Sequence, residues 1–551
     1  MLRSTAATFL VLAVSSLAVQ SAGSSHSATQ QPKLAVVIVV DQMRPDYLSR
    51  FDRFYTGGFR RLLDSGAVFL NAFHDHAATE TAVGHSTIST GCLPSRHGII
   101  GNDYYDRIEK KNVYAVLDTL SPLVGEISGK GVSPRRMLAP TLGEYLKQMS
   151  PESRNFSMAI KDRSAICMAG KQADGVYWFD RRTGSYVTST YYDSSYPLWV
   201  DSFNTAKQVD TYFSRSWEKL LADSVYVLSR EDASPFENDG IYTTFPHTFT
   251  EFSKHPDKRY YDELYATPFA DEVTFSLAKA AVHYEKLGSD SVPDLLWISG
   301  SAADAAGHTY GPFSQEMQDF YLRLDLYLGD LFGFLDSVVG ANKYVVALSS
   351  DHGALPIPEE LKQQGVNSGR IHPDAIKADM LHIGDSLVAD LLAKHNPFLT
   401  TGSEIVLDST AKSFTDMSVP EFQGLVASRL KQLPYVAATY TRFQLSRDIP
   451  QEVDPYWRRY RNCYHPDRGS DLFVRFKENY IVTRDTTGTT HGSAYDYDCI
   501  VPIVFFGPGV RSGQFYDRIR TIDIAPTLAR LLLIPTDGKF DGSAVKAALR
   551  Q

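Results

Sequence analysis

The stretch that most constrains the fold is Leu34–Val40, LAVVIVV: seven apolar residues, five of them β-branched, with no alternation of polar positions. Such a run is a strand buried on both faces, and a chain that makes one must also supply helices to cover each side. It ends at Asp41. Three more apolar runs follow the same pattern. Asp294–Ser299 leads into the 301–308 loop, Tyr344–Ser349 into Asp351-His352-Gly353, and Ile500–Phe506 closes on Gly507-Pro508-Gly509. A shorter strand at Ser157–Ile160 runs into Lys161-Asp162-Arg163. Helical patterns fall between them at Phe59–Ser65, Phe269–Leu287, Gln315–Val339 (interrupted by Gly329 and Gly333) and Ile522–Leu533, the last with Pro526 in its first turn. This alternation predicts an α/β fold, a mainly parallel central sheet flanked by helices on both faces. In such sheets ligands bind beyond the carboxyl ends of the strands. Asp41, Lys161, the 301–308 segment and Asp351 are therefore expected at one edge.

Two regions fit the alternation poorly and read as insertions: about 170–265, rich in Tyr, Ser, Asp and Phe, and about 355–490, which has helix and strand signals of its own. The rest, 33–551, reads as one catalytic domain. Residues 1–28 read as a secretory signal peptide and short N-terminal segment: Arg3 gives the basic start, Phe9–Val19 the apolar stretch, and Ala18 or Ala22 the small-residue cleavage site. Export to the periplasm or beyond is expected, with no membrane span. The net charge of -9 carries no long run of one sign and argues against nucleic acid as a partner. Four cysteines, Cys92, Cys167, Cys463 and Cys499, allow two disulfides in three connectivities, with Cys463–Cys499 the first to try.

The residues that carry chemistry sit at the predicted strand ends. Asp304 and His308 are four apart, on one side of a helical turn. Asp351 and His352 are adjacent, His491 stands in a glycine-flanked loop, and Asp41 adds a third carboxylate. Three carboxylates and three imidazoles suit two zinc ions. The stretch Ala77–Asn102 offers Thr79 and Thr81 at the start of a short helical run, where backbone N–H groups favour an anion. His74, His76, His85 and His97 around it read as core or loop-bracing residues, and Met43–Asp46 as loop structure.

Taken together, VVIVVDQMRPDYL (36–48), TETAVGHSTISTG (79–91), HGIIGN (97–102), IKDRSA (160–165), DAAGH (304–308), SSDHG (349–353) and THGS (490–493) resemble the alkaline phosphatase superfamily, and most of all the monomeric, phosphate-irrepressible bacterial type. The resemblance implies Thr81 as the nucleophile that takes the phosphoryl group. It implies one zinc held by Asp304, His308 and His491, and another by Asp41, Asp351 and His352 with Thr81 completing that site. It further implies that Asn102, Lys161 and Arg163 hold the phosphoryl oxygens, on a strand-to-loop segment in the case of the Lys/Arg pair. A monoester carries nearly two negative charges and a diester one, so this pair points to phosphomonoesters, small-molecule phosphate esters, as substrates. The resemblance also implies a monomeric enzyme. The alternatives are a phosphodiesterase or nucleotide pyrophosphatase, whose nucleobase the aromatic 170–265 segment would stack, and a non-catalytic phosphate-binding protein. Cys92-Leu-Pro-Ser-Arg96 matches the C-x-P-x-R pattern of sulfatases but lies past the nucleophile position, so that reading is set aside.

Overall fold

The computed structural model describes residue 1 and residues 31–550 apart from 127–130, 238–241, 251–252, 401–404, 413–416 and 448–453. The expected leader, Met1 aside, lies outside the described residues.

Nine strands make the central sheet: β1 (Leu34–Val40), β2 (Ala67–Phe73), β3 (Asn155–Ala159), β4 (Gly175–Asp180), β5 (Ser185–Val187), β6 (Asp294–Gly300), β7 (Tyr344–Ser349), β8 (Ile500–Phe506) and β9 (Gly513–Phe515). Their order across the sheet is β9-β2-β8-β7-β1-β6-β3-β4-β5. The five strands from β7 to β4 run parallel. β8 runs antiparallel to both β7 and β2, and β5 antiparallel to β4. β4 and β5 lie inside the span read as an insertion, so that span begins with two strands of the sheet itself. The 355–490 span does carry a core of its own, in which Ile376, Met380, Ile405, Phe422, Val426 and Leu472 are buried together.

All seven side chains of β1 are buried, and they divide by parity. Val36, Ile38 and Val40 meet helices α1 (Gly58–Ser65), α4 (Pro268–Tyr284) and α6 (Gln315–Leu335) on one face. Ala35, Val37 and Val39 meet α2 (Thr81–Thr90), α3 (Asp162–Ala169) and α7 (Ile524–Leu531) on the other. The remaining helix of importance, α5 (Ala302–Tyr310), starts just after β6. The 301–308 segment expected as a loop is therefore helical. Gly329, expected to interrupt α6, instead lets α6 cross α1 closely: a Cβ there would sit 3.0 Å from the Gly57 Cα.

The strand register places the site. Val39 lies opposite Ser299 and Ser349, and Ser299 lies opposite Ala159. Two residues beyond this level, on four neighbouring strands, come Asp41, Ser301, Asp351 and Lys161. β8 runs the other way, so its beginning lies at this edge and delivers the 490–499 segment to it.

Candidate active site

Thr81 is the first residue of α2 and is 1 % exposed. Glu80, which precedes it, gives the helix no side-chain cap. The cap comes from outside: Asn102 Oδ1 accepts the Ala82 N–H at 2.9 Å. That bond fixes the amide orientation, so Asn102 Nδ2 remains as a donor. Glu80 in turn accepts the Asn102 backbone N–H at 2.6 Å. Gly84 lets α2 lie against the end of β7, since a Cβ there would fall 2.2 Å from the Asp351 carbonyl oxygen.

The histidines share one arrangement. His308 Nδ1 donates to the Thr489 carbonyl at 2.7 Å, His491 Nδ1 to the Thr79 carbonyl at 2.7 Å, and His352 Nδ1 to the Gly353 carbonyl at 3.1 Å. A carbonyl can only accept, so each Nδ1 carries a proton and each Nε2 is the nitrogen left to face the site. Those Nε2 atoms face carboxylates. His308 and His491 lie 3.2 and 3.5 Å from Asp304 Oδ1, and His352 lies 3.2 Å from Asp351 Oδ2. Backbone-tethered Nδ1 with Nε2 presented is how metal-ligating imidazoles are held. Donor atoms of Asp304, His308 and His491 fall within 4.8 Å of one another, as do those of Asp41, His85 and Asp351. The His352 and His491 rings stack with centroids 3.5 Å apart, so the two donor sets adjoin.

His85 stands with the second set, although the sequence reading placed it in the core. It is fully buried, and both its ring nitrogens are in use: Nδ1 bonds the Thr81 carbonyl at 2.8 Å and Nε2 meets Ser299 Oγ at 3.2 Å. It braces Asp41 and Asp351 from behind. By contrast His352 Nε2 and Asp351 Oδ2 are buried against each other at 3.2 Å without a well-formed hydrogen bond. Buried polar atoms left without good hydrogen bonds cost free energy unless something binds them. A divalent cation fits that donor chemistry. Burial pushes the His352 imidazole down, but Asp351 outweighs it and holds the group up at about 9. A metal at Nε2 would take the place of that proton.

Lys161 is the N-cap of α3 and Arg163 lies in its first turn, so the pair sits on a helix N-terminus rather than on the strand-to-loop segment expected. The Lys161 ammonium is buried and bonds Asp41 Oδ2 at 2.8 Å and Asp304 Oδ2 at 2.6 Å, with Thr81 Oγ at 3.5 Å. Burial opposes its charge, yet Asp304 and Asp41 together keep it protonated above the usual lysine range. Burial pushes Asp304 up, but His308 and Lys161 outweigh it and hold Asp304 below the usual carboxylate range. Arg163 is held charged despite burial, with Tyr114 the leading favourable neighbour, and its Nε has no partner.

Several residues that support this site were not singled out by sequence. Gln42 occupies the left-handed region at φ 62, which turns its backbone N–H onto Asp351 Oδ1 at 3.1 Å and its side-chain amide onto Asp304 Oδ1 at 2.8 Å. Gly307 makes room for it: a Cβ there would meet Gln42 Oε1 at 1.9 Å. Ser299 Oγ donates to Asp41 Oδ1 at 2.8 Å. Their only signal is position, beside an acid at a strand end. One expectation is corrected. The four cysteines are free and buried; Cys463 Sγ accepts the Ala77 N–H and Cys499 Sγ faces the His76 and Ser493 carbonyls, so nearness in sequence did not bring them into a bond. Of the aromatic residues of 170–265, Tyr177, Tyr186, Trp217, Tyr226 and Tyr260 are packed in the core. Trp178, Phe179 and Tyr265 line a cavity together with Lys161 and Arg163.

This constellation matches known proteins over nearly its whole length. The model for the type I phosphodiesterase / nucleotide pyrophosphatase family matches residues 35–493. The chain belongs to that family, within the alkaline phosphatase superfamily. Among its relatives is alkaline phosphatase PhoV of Synechococcus elongatus, 34 % identical over 94 % of this chain and 93 % of the relative. Alkaline phosphatase PafA of Elizabethkingia meningoseptica is 33 % identical over 92 % of this chain and 93 % of its own. A crystal structure of PafA superposes with a TM-score of 0.87, at 32 % identity, over 95 % of this chain and 100 % of that one. A protein of Myroides odoratus described as a calcium-transporting ATPase is 35 % identical over 95 % of each chain. The chain is an enzyme of the alkaline phosphatase type, with groups able to hold metal.

Proposed function

We propose that this chain is an exported, zinc-dependent alkaline phosphatase that hydrolyses phosphomonoesters through a phosphothreonine at Thr81. Asp304, His308 and His491 would hold one ion, and Asp41, Asp351 and His352 the other, with Thr81 beside the second set. Two zinc ions supply the positive charge that lowers the pKa of a bound hydroxyl and neutralises the oxygens of an in-line displacement. The remaining work belongs to the chain. Thr81 Oγ attacks phosphorus and loses its proton, the bond from phosphorus to the ester oxygen breaks, and the leaving group departs as an alcohol. Water then cleaves the phosphothreonine, releasing inorganic phosphate and restoring the hydroxyl. Asn102 Nδ2, Lys161 and Arg163 bind the non-bridging oxygens throughout.

The observation that carries this reading is the buried Lys161 ammonium 3.5 Å from Thr81 Oγ. A fixed buried cation beside the nucleophile, with a second, half-buried cation two residues on, is matched to the nearly dianionic phosphoryl group of a monoester. Membership of the type I phosphodiesterase / nucleotide pyrophosphatase family makes diester hydrolysis the competing outcome. Hydrolysis of a monoester and its matched diester by the wild type and by Lys161→Ala/Arg163→Ala decides between them. Monoesterase is expected to fall by about 10²-fold or more, in the range of losing transition-state donors, and diesterase by much less. Equal losses would overturn the assignment. A transport role has no support in the fold, because among the described residues no helix is long and apolar enough to cross a membrane. Small-molecule esters, a monomer and export complete the proposal.

A further inference from the structure

A cavity of about 250 Å³ opens beside His491, lined by Glu80, Gly492, Tyr480, Tyr495 and Tyr497 among others. We propose that it is a leaving-group subsite for a flat aromatic ring, so that among phosphomonoesters this enzyme favours aryl leaving groups; the inference rests on the phosphomonoesterase reading above.

Position is the first argument. An in-line displacement expels the leaving oxygen opposite the attacking one. Thr81 stands with the Asp41/Asp351/His352 set, so the leaving group exits toward Asp304, His308 and His491, and the cavity begins at His491. The backbone there faces open space, since a Cβ built on Gly492 meets nothing within 4 Å.

Chemistry is the second. The Tyr495 and Tyr497 rings lie 5.6 Å apart and 27° from parallel. Tyr495 is fixed by donating to the Phe476 carbonyl at 2.6 Å. The polar atoms of the lining are nearly all committed. Arg475 bonds Tyr440 and Tyr495 hydroxyls and Asp454. Ser493 bonds Asp498 Oδ2. Asp498 Oδ1 alone among these keeps no partner. A polyol would need many free donors, whereas this wall offers the ring faces of Tyr480 and Tyr497 beside the Glu80 carboxylate. The volume lies just below the roughly 300 Å³ at which pockets for drug-sized ligands begin, which suits a single ring system.

The test measures kcat/KM for phenyl phosphate and for glycerol 2-phosphate, together with inhibition by phenylphosphonate and methylphosphonate, which involves no bond breaking. In Tyr497→Leu the aryl-to-alkyl ratio of kcat/KM is expected to fall by about 3- to 10-fold, the range of an aromatic pair. The Ki of phenylphosphonate relative to methylphosphonate should rise by a similar factor. Tyr497→Phe, which keeps the ring, should preserve both ratios. Tyr480→Leu carries the same test should Tyr497→Leu fail to fold, because the Tyr480 hydroxyl bonds only the exposed Asn367 side chain. Turnover of both esters with neither ratio moved by either leucine variant would overturn the subsite alone. A zinc-loaded wild type that turns over neither ester would overturn the phosphomonoesterase reading instead.

Discussion

The molecule buries two clusters of acids and histidines, and they behave oppositely. One is the strand-end site. The other lies where α6 meets the 230–247 segment: Glu237 and Glu316 are fully buried, and His247 Nε2 lies 3.0 Å from Glu316 Oε1. In the first, carboxylates are held charged. Asp351 falls below the usual range against burial, with His352 the leading neighbour. In the second, burial wins. It pushes Glu316 up to about 8 and Glu237 up to about 9, and pushes His247 down to about 4. The residue types are alike, so composition does not separate a binding site from a packed polar core. What separates them is presentation. In the strand-end site three imidazoles are tethered at Nδ1 by backbone carbonyls, and Lys161 joins Asp41, just past β1, to Asp304 on α5. In the other, Arg230 already pairs with Glu237, no imidazole is tethered at Nδ1 (His247 Nδ1 has no partner), and Glu237 Oε2 and Glu316 Oε2 are buried without hydrogen bonds.

The sharpest way to break this comparison is Thr81→Ala. Activity is expected to drop by at least about 10³-fold, as for removal of a covalent nucleophile, while metal content measured on the same sample stays that of wild type. Retained turnover would remove Thr81 from the reaction. Next, His308→Ala is expected to lose metal along with activity, whereas His247→Ala in the other cluster should leave metal content unchanged. If His247→Ala also lost metal, the two clusters would not differ in the way argued. A smaller effect is expected at Gln42, which orients Asp304 without being a ligand. Gln42→Ala should weaken metal affinity by about 10- to 100-fold, the usual cost of losing an outer-shell partner, read by competition with a chelator.

The smallest effect concerns stability. The Glu316 carboxyl, raised by burial to about 8, stays protonated in the folded chain where the unfolded chain has ionised. Its contribution is therefore whole below the ordinary value of 4.5 and is lost as pH rises through about 8. Glu316→Gln has no proton to lose, so the Tm of this variant relative to wild type should climb between pH 5 and pH 8. A pH-independent difference would mean that Glu316 is ionised in place, and the contrast between clusters would shrink to Glu237.

Most of the site was legible because it obeys the sheet. Asp41, Lys161 and Asp351 lie two residues past one register level, and strands read from apolar runs alone point to that edge. The Asp304–His308 spacing of four was enough to give one face of α5. Other features were not legible. β4 and β5 were concealed in an aromatic-rich span because aromatic residues suit strands and insertions equally. Those aromatics suggested a nucleobase site; the fold put most of them in the core, left Trp178, Phe179 and Tyr265 around a cavity with Lys161 and Arg163, and built another aromatic wall near His491 from residues more than two hundred positions later.

The sequence by itself determined the class of sheet and the edge at which chemistry collects, since continuous β-branched runs leave no other buried arrangement. It also determined which side chains could react. Only the tertiary structure decided which of seven histidines near these motifs turn a nitrogen into the site. His74, His76 and His97 instead meet one another, Thr87, Thr521 and the Ser350 carbonyl. His85 even touches Asp41 and Asp351, but its ring nitrogens meet the Thr81 carbonyl and Ser299. His308, His352 and His491 each give one nitrogen to a backbone carbonyl and leave the other facing a carboxylate. That difference depends on where distant carbonyls fall, and no local pattern encodes it.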